Sequence, residues 1–146
     1  MNAVGILGRI IPALIADKFF GSFNTLIPFM IGVGIMMFEW ILVTNSRQFY
    51  NFVIVYGICA HAVQTLFPST ISKMTTDMSK IGVRTGMVFS IISIACLTGP
   101  PIAGLLIQAG NGSFLYAQIF GGTTAFVGTG VLVLARIAEN RLSKQR

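Results

Sequence analysis

The sequence has little charge. Only 10% of its 146 residues are Asp, Glu, Lys or Arg, and just four of them are acidic, whereas about 25% of the residues of a soluble domain are charged. So few charges cannot cover a surface that faces water, which argues against an ordinary soluble domain. Apolar residues dominate instead, at 54% of the chain. This composition predicts an all-α membrane protein.

Residue types that carry catalysis or bind metals are also scarce. The chain has two cysteines and one histidine. Cys59 and Cys96 both lie inside apolar runs, where we interpret them as small packing residues and not as a disulfide or metal ligands. The sequence shows no phosphate-binding loop and no pairing of a nucleophile with a base. We therefore expect no enzyme activity, no cofactor and no metal site.

Five apolar runs make up most of the chain. A helix needs roughly 20 mainly apolar residues to cross about 30 Å of hydrocarbon, and the last four runs reach that length. The first run covers only roughly 20 Å at about 1.5 Å per residue, so we interpret it as the inner end of a truncated helix. The predicted spans are 3–16, 25–43, 49–69, 85–109 and 113–135, followed by a basic tail at 136–146.

The basic residues outside these spans favour one set of helix ends. Eight Lys and Arg residues lie in the connections after the first and third spans and in the tail, and only Arg47 lies on the other side. Because basic loops stay in the cytoplasm, we expect a cytoplasmic C-terminus, with residues 45–48 and 110–112 outside. These charges border apolar spans, so membrane topology explains them better than nucleic-acid binding does.

Arg9 lies inside the first apolar run, eight residues before Asp17, or roughly 12 Å from the helix end. An ionisable residue at such a depth costs about 3 kcal/mol on insertion scales and often marks a pathway. Two interpretations stay open. Arg9 either faces a cavity and pairs with an anionic substrate, for which a guanidinium suits a carboxylate, or it forms an internal ion pair with another helix.

His61 and Gln64 share one face of the third span with Tyr50, Gly57 and Pro68, because the intervals between them are helical. A polar face on an apolar helix predicts the lining of an internal path. The alternative is that both side chains hydrogen-bond to nearby backbone or hydroxyl groups.

The fourth span contains GPPIAG at residues 99–104. Pro100 and Pro101 remove backbone donors and clash with the preceding turn, so we expect Gly99, Pro100 and Pro101 to break or kink this helix. Broken helices at mid-depth are common where transporters bind substrate. The motif therefore favours a bundle that moves over a rigid anchor.

Two motifs resemble a known family. GRIIPALIADKF, residues 8–19, resembles the loop motif between the eighth and ninth helices of the major facilitator superfamily. DMSKIGVRTGMVFS (77–90), followed by GPPIAGLLI (99–107), is similar to the string that joins the tenth and eleventh helices in the fungal branch of the monocarboxylate porter family. The resemblance implies that the chain corresponds to helices eight to twelve of a twelve-helix carrier, a partial C-terminal half of its bundle.

The resemblance also implies roles for particular residues. An arginine at the position of Arg9 pairs with the substrate carboxylate in such porters, and we expect His61 and Gln64 to line the path. Characterised relatives have an aspartate one turn earlier that takes part in proton coupling, where this chain has Gly5. The residues expected to form a cytoplasmic gate in the loop motifs are Gly8, Asp17, Lys18, Asp77, Lys80 and Arg84.

The expected function is transport of small organic anions, such as monocarboxylates, by a multi-pass protein of the plasma membrane. Its expected partners are membrane lipid, the anion, and either the missing N-terminal half or a full-length relative, with no nucleic acid. Alternating access needs two halves that rock against each other. The alternative is therefore a membrane protein that does not transport and only packs against a full-length carrier.

Overall fold

A computed structural model describes residues 2–75 and 77–144 of the chain. This part of the chain forms α-helices and short helical turns and contains no strand. The helices α2 to α5 are long and apolar enough to cross a membrane, which fits the all-α membrane fold predicted from the sequence. The bounds of the spans stay a prediction. The helix bounds are α1 Asn2–Ile15, α2 Ser22–Leu42, α3 Ser46–Lys73, α4 Ile81–Ala109 and α5 Leu115–Lys144.

The turn between α1 and α2 depends on a glycine. Residues Ala16–Phe20 continue α1 as a π-helix, and the Gly21 N–H donates to the Ala16 carbonyl at 2.9 Å. Gly21 has a φ of 77°, which glycine adopts without the strain that a Cβ would bring. The Thr25 hydroxyl donates to the Gly21 carbonyl at 2.9 Å. A single glycine therefore joins the π-helical end of α1 to α2, and Asp17 lies in the π-helical turn before it.

Helix α2 lies at the centre of the bundle and packs along both α3 and α5. Leu26 of α2 and Leu66 of α3 are fully buried against each other's helix. On the α5 side, a Cβ added to Gly122 would lie 2.6 Å from the Phe38 ring, so the two helices approach closely there. In lipid, such small residues let helix backbones come near each other and gain packing contacts.

Helix α4 is the least buried of the described helices, with no buried residue along Ile81–Ala109. It is continuous through Gly99, Pro100 and Pro101, so these residues do not interrupt the helix, and a kink at this point stays a prediction. Each proline removes one N–H donor, but the remaining intrahelical bonds on either side hold the helix together, as in other membrane helices that contain proline. Flexibility at Gly99 and Pro100 stays a prediction.

The basic ends of the helices gather at one end of the bundle. Lys73 Nζ, at the end of α3, lies 2.7 Å from Asp17 Oδ1. Arg136 Nε, near the end of α5, donates to Asn24 Oδ1 at 3.0 Å. This confirms that the connection after the first span, the end of the third span and the start of the basic tail share one end.

The opposite end is aromatic. The Trp40 ring stacks on Phe52 at 5.9 Å between centroids and lies 6.1 Å from Phe114. Trp and Tyr side chains favour the membrane–water boundary. The predicted cytoplasmic tail begins within α5, because the helix continues to Lys144, and residues 145 and 146 of that tail lie outside the described part. Which side of the membrane each end faces stays a prediction.

Candidate functional site

The site lies where α1 crosses α3. Among residues 5–18, the buried positions of α1 and its π-helical end are Gly5, Gly8, Pro12 and Ala16. Their spacing of three to four residues puts them on one face of the helix. A Cβ added to Gly8 would lie 2.9 Å from the Ile58 Cα and 3.0 Å from the Ile58 carbonyl oxygen. The two backbones are therefore in direct contact, and Gly8, predicted as a gate residue, is a packing residue in this structure.

His61 lies on α3 opposite this glycine face and is half-buried. Its Nδ1 lies 2.6 Å from the Gly57 carbonyl oxygen. Its other ring nitrogen faces α1, because a Cβ added to Gly5 would lie 2.7 Å from His61 Nε2. That distance is too short for a real contact, so any side chain at position 5 would displace the imidazole. The glycine at this position is thus explained by the histidine that faces it.

Arg9 and His61 border the same small cavity of about 120 Å³, whose other lining residues are Gly5 and Ile6. Arg9 is exposed, and within residues 5–18, 21–75, 77–138 and 141 no hydrogen bond or ion pair involves it. The structure therefore brings together the two residues that the sequence proposed as a cation and a polar lining. A cavity with an uncompensated guanidinium is suited to an anion.

Gln64, the third predicted lining residue, does not border this cavity, and its side chain is exposed. The other members of the predicted polar face of α3 also separate, since Tyr50 is 68% exposed while Gly57 is buried. The bond from His61 to Gly57 fits the alternative expectation that polar side chains satisfy neighbouring backbone. Nδ1 of the ring hydrogen-bonds to backbone as that alternative predicts, whereas Nε2 faces the cavity.

The predicted gate residues form two separate groups. Asp17 pairs with Lys73 of α3 and not with its neighbour Lys18, which is exposed. Sequence reasoning counted Lys73 only as a basic loop residue. Its position in the last turn of α3, on the same basic side as Asp17, was the available signal for this pairing.

The second group surrounds Asp77 in the connection before α4. The Asp77 carboxylate accepts hydrogen bonds from the Ser79 hydroxyl at 2.8 Å and the Ser79 N–H at 3.1 Å, and lies 3.4 Å from Lys80 Nζ. These contacts, first the Ser79 hydroxyl and last the nearby charge of Arg84, lower the pKa of Asp77. The arrangement caps a short helical turn, so a gate role for Asp77, Lys80 and Arg84 stays a prediction.

Comparison with known proteins identifies relatives along nearly the whole chain. The chain is 41% identical over 137 residues to an MFS-type transporter of Gibberella zeae, covering 94% of this chain and 31% of the relative. It is 34% identical to an MFS-type transporter of Aspergillus niger, covering 93% of this chain and 31% of the relative. It is also 35% identical to the aspyridones efflux protein of Emericella nidulans, covering 90% of this chain and 26% of the relative.

No family model matches the chain, and no solved structure matches it. The chain spans less than a third of the length of the relatives just described. Its helical architecture fits part of a major-facilitator-type bundle. Similarity to MFS-type transporters over nearly its whole length supports membership of the major facilitator superfamily.

Proposed function

We propose that this chain forms part of a carrier that moves small organic anions, monocarboxylates among them, across a membrane by alternating access. The observation that carries the proposal is the cavity between α1 and α3, which Arg9 and His61 both border. The names of the relatives support transport in general. The anionic class of the substrate comes from the chemistry of Arg9.

The physical argument concerns the cost of an unpaired cation at this depth. Arg9 lies within an apolar helix, where a charge costs about 3 kcal/mol unless something compensates it. A carboxylate would do so with two parallel hydrogen bonds to the guanidinium fork. Because the compensating charge then arrives with the substrate, the free-energy cost of the Arg9 charge is lowest when the substrate is bound. This is the behaviour expected of a transport site that both halves of a carrier enclose.

The direction of transport is proposed by similarity. The Emericella nidulans relative is named an efflux protein, and its sequence matches 90% of this chain. We therefore propose export of an organic acid as the physiological direction. The proposal is tested by direct flux measurement, as follows.

Cells expressing the longest in-frame protein that contains these 146 residues are loaded with radiolabelled benzoate, and its release is followed. We expect Arg9→Gln to slow carrier-dependent release at least about 30-fold, because losing one partner of a desolvated charge pair costs about 2 kcal/mol or more. Arg9→Lys keeps the charge but not the fork, so it should restore part of the rate.

Arg47→Gln is the matched control, since it removes the same group from an exposed position in the first turn of α3. It should leave release unchanged. Immunoblots must show equal amounts of each protein in the membrane fraction. Normal benzoate release by Arg9→Gln at normal abundance would remove Arg9 from the substrate site and, with it, the argument for an anionic substrate.

A second candidate function is association with a full-length carrier without transport by this chain. The observation that favours it is α4, which has no buried residue between Ile81 and Ala109 and exposes Ile91, Leu97 and Leu105 at 70%, 77% and 66%. Benzoate release and co-purification together distinguish the two functions. A chain that releases no benzoate but co-purifies in detergent with a co-expressed relative supports association, whereas release above background supports transport.

A further inference from the structure

A second cavity lies at the basic end of the bundle and shares no lining residue with the cavity beside Arg9. Its volume is about 160 Å³, far more than the roughly 30 Å³ that a water molecule occupies in the liquid, so a group of several heavy atoms fits. The start of α2, the end of α3 and the last part of α5 border it. Its described lining residues include two cations, Lys73 and Arg136, and no acidic side chain. The cavity therefore favours an anion.

Arg136 is held in a defined orientation beside the start of α2. Its Nε donates to Asn24 Oδ1 at 3.0 Å, and its guanidinium carbon lies 5.5 Å from the centre of the Phe23 ring. Phe23 is buried, so packing holds the ring in turn. Because these contacts already order the guanidinium, an anion that binds there pays less conformational entropy than it would at a mobile arginine.

Lys73 supplies the second cation from the last turn of α3. Its Nζ lies 2.7 Å from Asp17 Oδ1. An ammonium group carries three hydrogen-bond donors, so one ion pair does not use them all. Asp17 itself does not line the cavity. An anion in the cavity therefore shares Lys73 with Asp17.

The backbone at the start of α2 acts together with these two side chains. The first N–H groups of a helix have no partner within the helix, and no side chain caps those of α2, whose N-cap residue is Gly21. The first three residues of α2 all line the cavity, namely Ser22, Phe23 and Asn24. The macrodipole of a helix gives this end roughly half a positive charge, and phosphate groups bind at such positions. Three helices thus direct positive charge into one cavity.

The cavity also lies at the depth of lipid headgroups. Ser22 is the first residue of one candidate membrane span, Lys73 is the last residue of a second, and Arg136 lies near the end of a third. Beyond the hydrocarbon core lies the polar headgroup region, which contains the lipid phosphates. The depression at the opposite end of α2, around Val43 and Tyr50, has only uncharged residues among its described lining. Charge and depth together therefore favour a lipid phosphate at the basic end.

We propose that this cavity binds the phosphate of an anionic phospholipid, with Arg136 and Lys73 as its charged partners and the start of α2 as its backbone donor. A free phosphate ion offers the same oxygens but has no acyl chains. Acyl chains gain apolar contacts with side chains such as Met74, a lining residue that is 44% exposed. The proposal does not use the cavity beside Arg9, so it is independent of the proposed function.

The test measures lipid binding to the full 146-residue chain purified in neutral detergent. Native mass spectrometry with dioleoyl phosphatidylglycerol or dioleoyl phosphatidylcholine compares two headgroups at constant acyl chains. Phosphatidylglycerol should bind at least about tenfold more tightly, because the choline cation would be repelled by Lys73 and Arg136. Inorganic phosphate, added at constant ionic strength, should displace phosphatidylglycerol only at far higher concentration than the lipid itself.

Variants of the two cations test which residues hold the headgroup. Arg136→Gln should weaken phosphatidylglycerol binding by about tenfold. Arg141→Gln is the matched control, since it removes the same group from an exposed position of α5 that does not line the cavity, and it should leave binding unchanged. Asp17→Asn should strengthen binding, because it removes the anion that competes for Lys73.

Asn24→Asp keeps the shape of the side chain and its acceptor for Arg136 but puts a negative charge into the cavity. An acidic residue in the first turn of a helix is favourable, so this variant should fold like the parent protein. It should nevertheless weaken phosphatidylglycerol binding by about tenfold or more, since its carboxylate takes the place of the phosphate. It therefore tests the site even if Arg136→Gln is unstable.

Three results would overturn the proposal. Equal losses in Arg136→Gln and Arg141→Gln would indicate general attraction to basic residues, which is worth about the same for each of them. Unchanged binding in Asn24→Asp would place the lipid elsewhere. Inorganic phosphate that binds as tightly as phosphatidylglycerol, with the same dependence on Arg136, would make the ligand a free phosphate. Arg9→Gln should not affect lipid binding, so a failure of the proposed anion transport leaves this test intact.

Discussion

Gly8→Ala is the most direct perturbation of the contact between α1 and α3. The added methyl carbon would lie 2.9 Å from the Ile58 Cα and 3.0 Å from its carbonyl oxygen. Carbon atoms in contact normally lie about 3.5–4.0 Å apart. The two helices must therefore separate by roughly 0.6–1.1 Å, since backbone, unlike the end of a flexible side chain, cannot rotate out of the way.

This separation should destabilise the bundle by about 1–3 kcal/mol, the usual cost of inserting a methyl group into a packed interface. Gly104→Ala is the matched control, because a Cβ at Gly104 of α4 meets no atom within 4 Å. There the same substitution should be neutral or stabilise α4 by up to about 1 kcal/mol, through the higher helix propensity of alanine. The two variants should therefore differ by at least about 1 kcal/mol.

The assay is a titration of the purified protein from mild detergent into sodium dodecyl sulfate, followed by tryptophan fluorescence. Trp40 is the single tryptophan of the chain, and it stacks on Phe52 across the contact between α2 and α3. Gly8→Ala should unfold at a lower dodecyl sulfate fraction than the parent, and Gly104→Ala should not. Equal midpoints for the two variants would refute the close crossing of α1 and α3 that forms the cavity beside Arg9 and His61.

Two further predictions concern the charged end of the bundle. Asp17→Asn should lower the stability of the bundle by less than about 1 kcal/mol in the dodecyl sulfate titration, and by less still at high salt. Asp17 and Lys73 are 67% and 51% exposed, so solvent screens their ion pair. A larger loss that does not depend on salt would contradict this. Ser79→Ala should raise the pKa of Asp77 towards its ordinary value, since the hydrogen bond from the Ser79 hydroxyl is the main cause of the lowered pKa. Carboxyl ¹³C NMR would detect the change. An unchanged titration of Asp77 would refute the assigned hydrogen bond. Because the folded-state pKa is lowered, the stabilisation from Asp77 is present at neutral pH and is lost as the pH falls through that pKa.

Hydropathy was sufficient to predict an all-α membrane fold, and charge placement was sufficient to predict which helix ends lie together. Each of the four long apolar runs corresponds to a helix long and apolar enough to cross a membrane. Length and apolar content are properties of a single helix and do not depend on how helices pack together. The ends of different helices lie on the same side of the bundle because successive helices run in alternating directions. The ion pair between Asp17 and Lys73, which lie 56 residues apart, is the structural outcome of that alternation.

The continuity of α4 shows what local rules could not decide. Two adjacent prolines predict a break or a kink when backbone donors are counted residue by residue. The helix nevertheless runs from Ile81 to Ala109. In a membrane, an interruption would expose still more unpaired backbone to hydrocarbon, so continuing the helix is the smaller cost.

The sequence by itself determined that this is a bundle of membrane helices, and it singled out Arg9 and His61 as polar residues within apolar runs. Only the tertiary structure decided which polar groups meet: it put His61 against Gly5 and Arg9, left Gln64 outside their cavity, and gave Asp17 to Lys73. The reason is geometric. Periodicity fixes which residues share a face of one helix, but which faces oppose each other depends on how closely two backbones cross, and the close contact between Gly8 and Ile58 sets that distance.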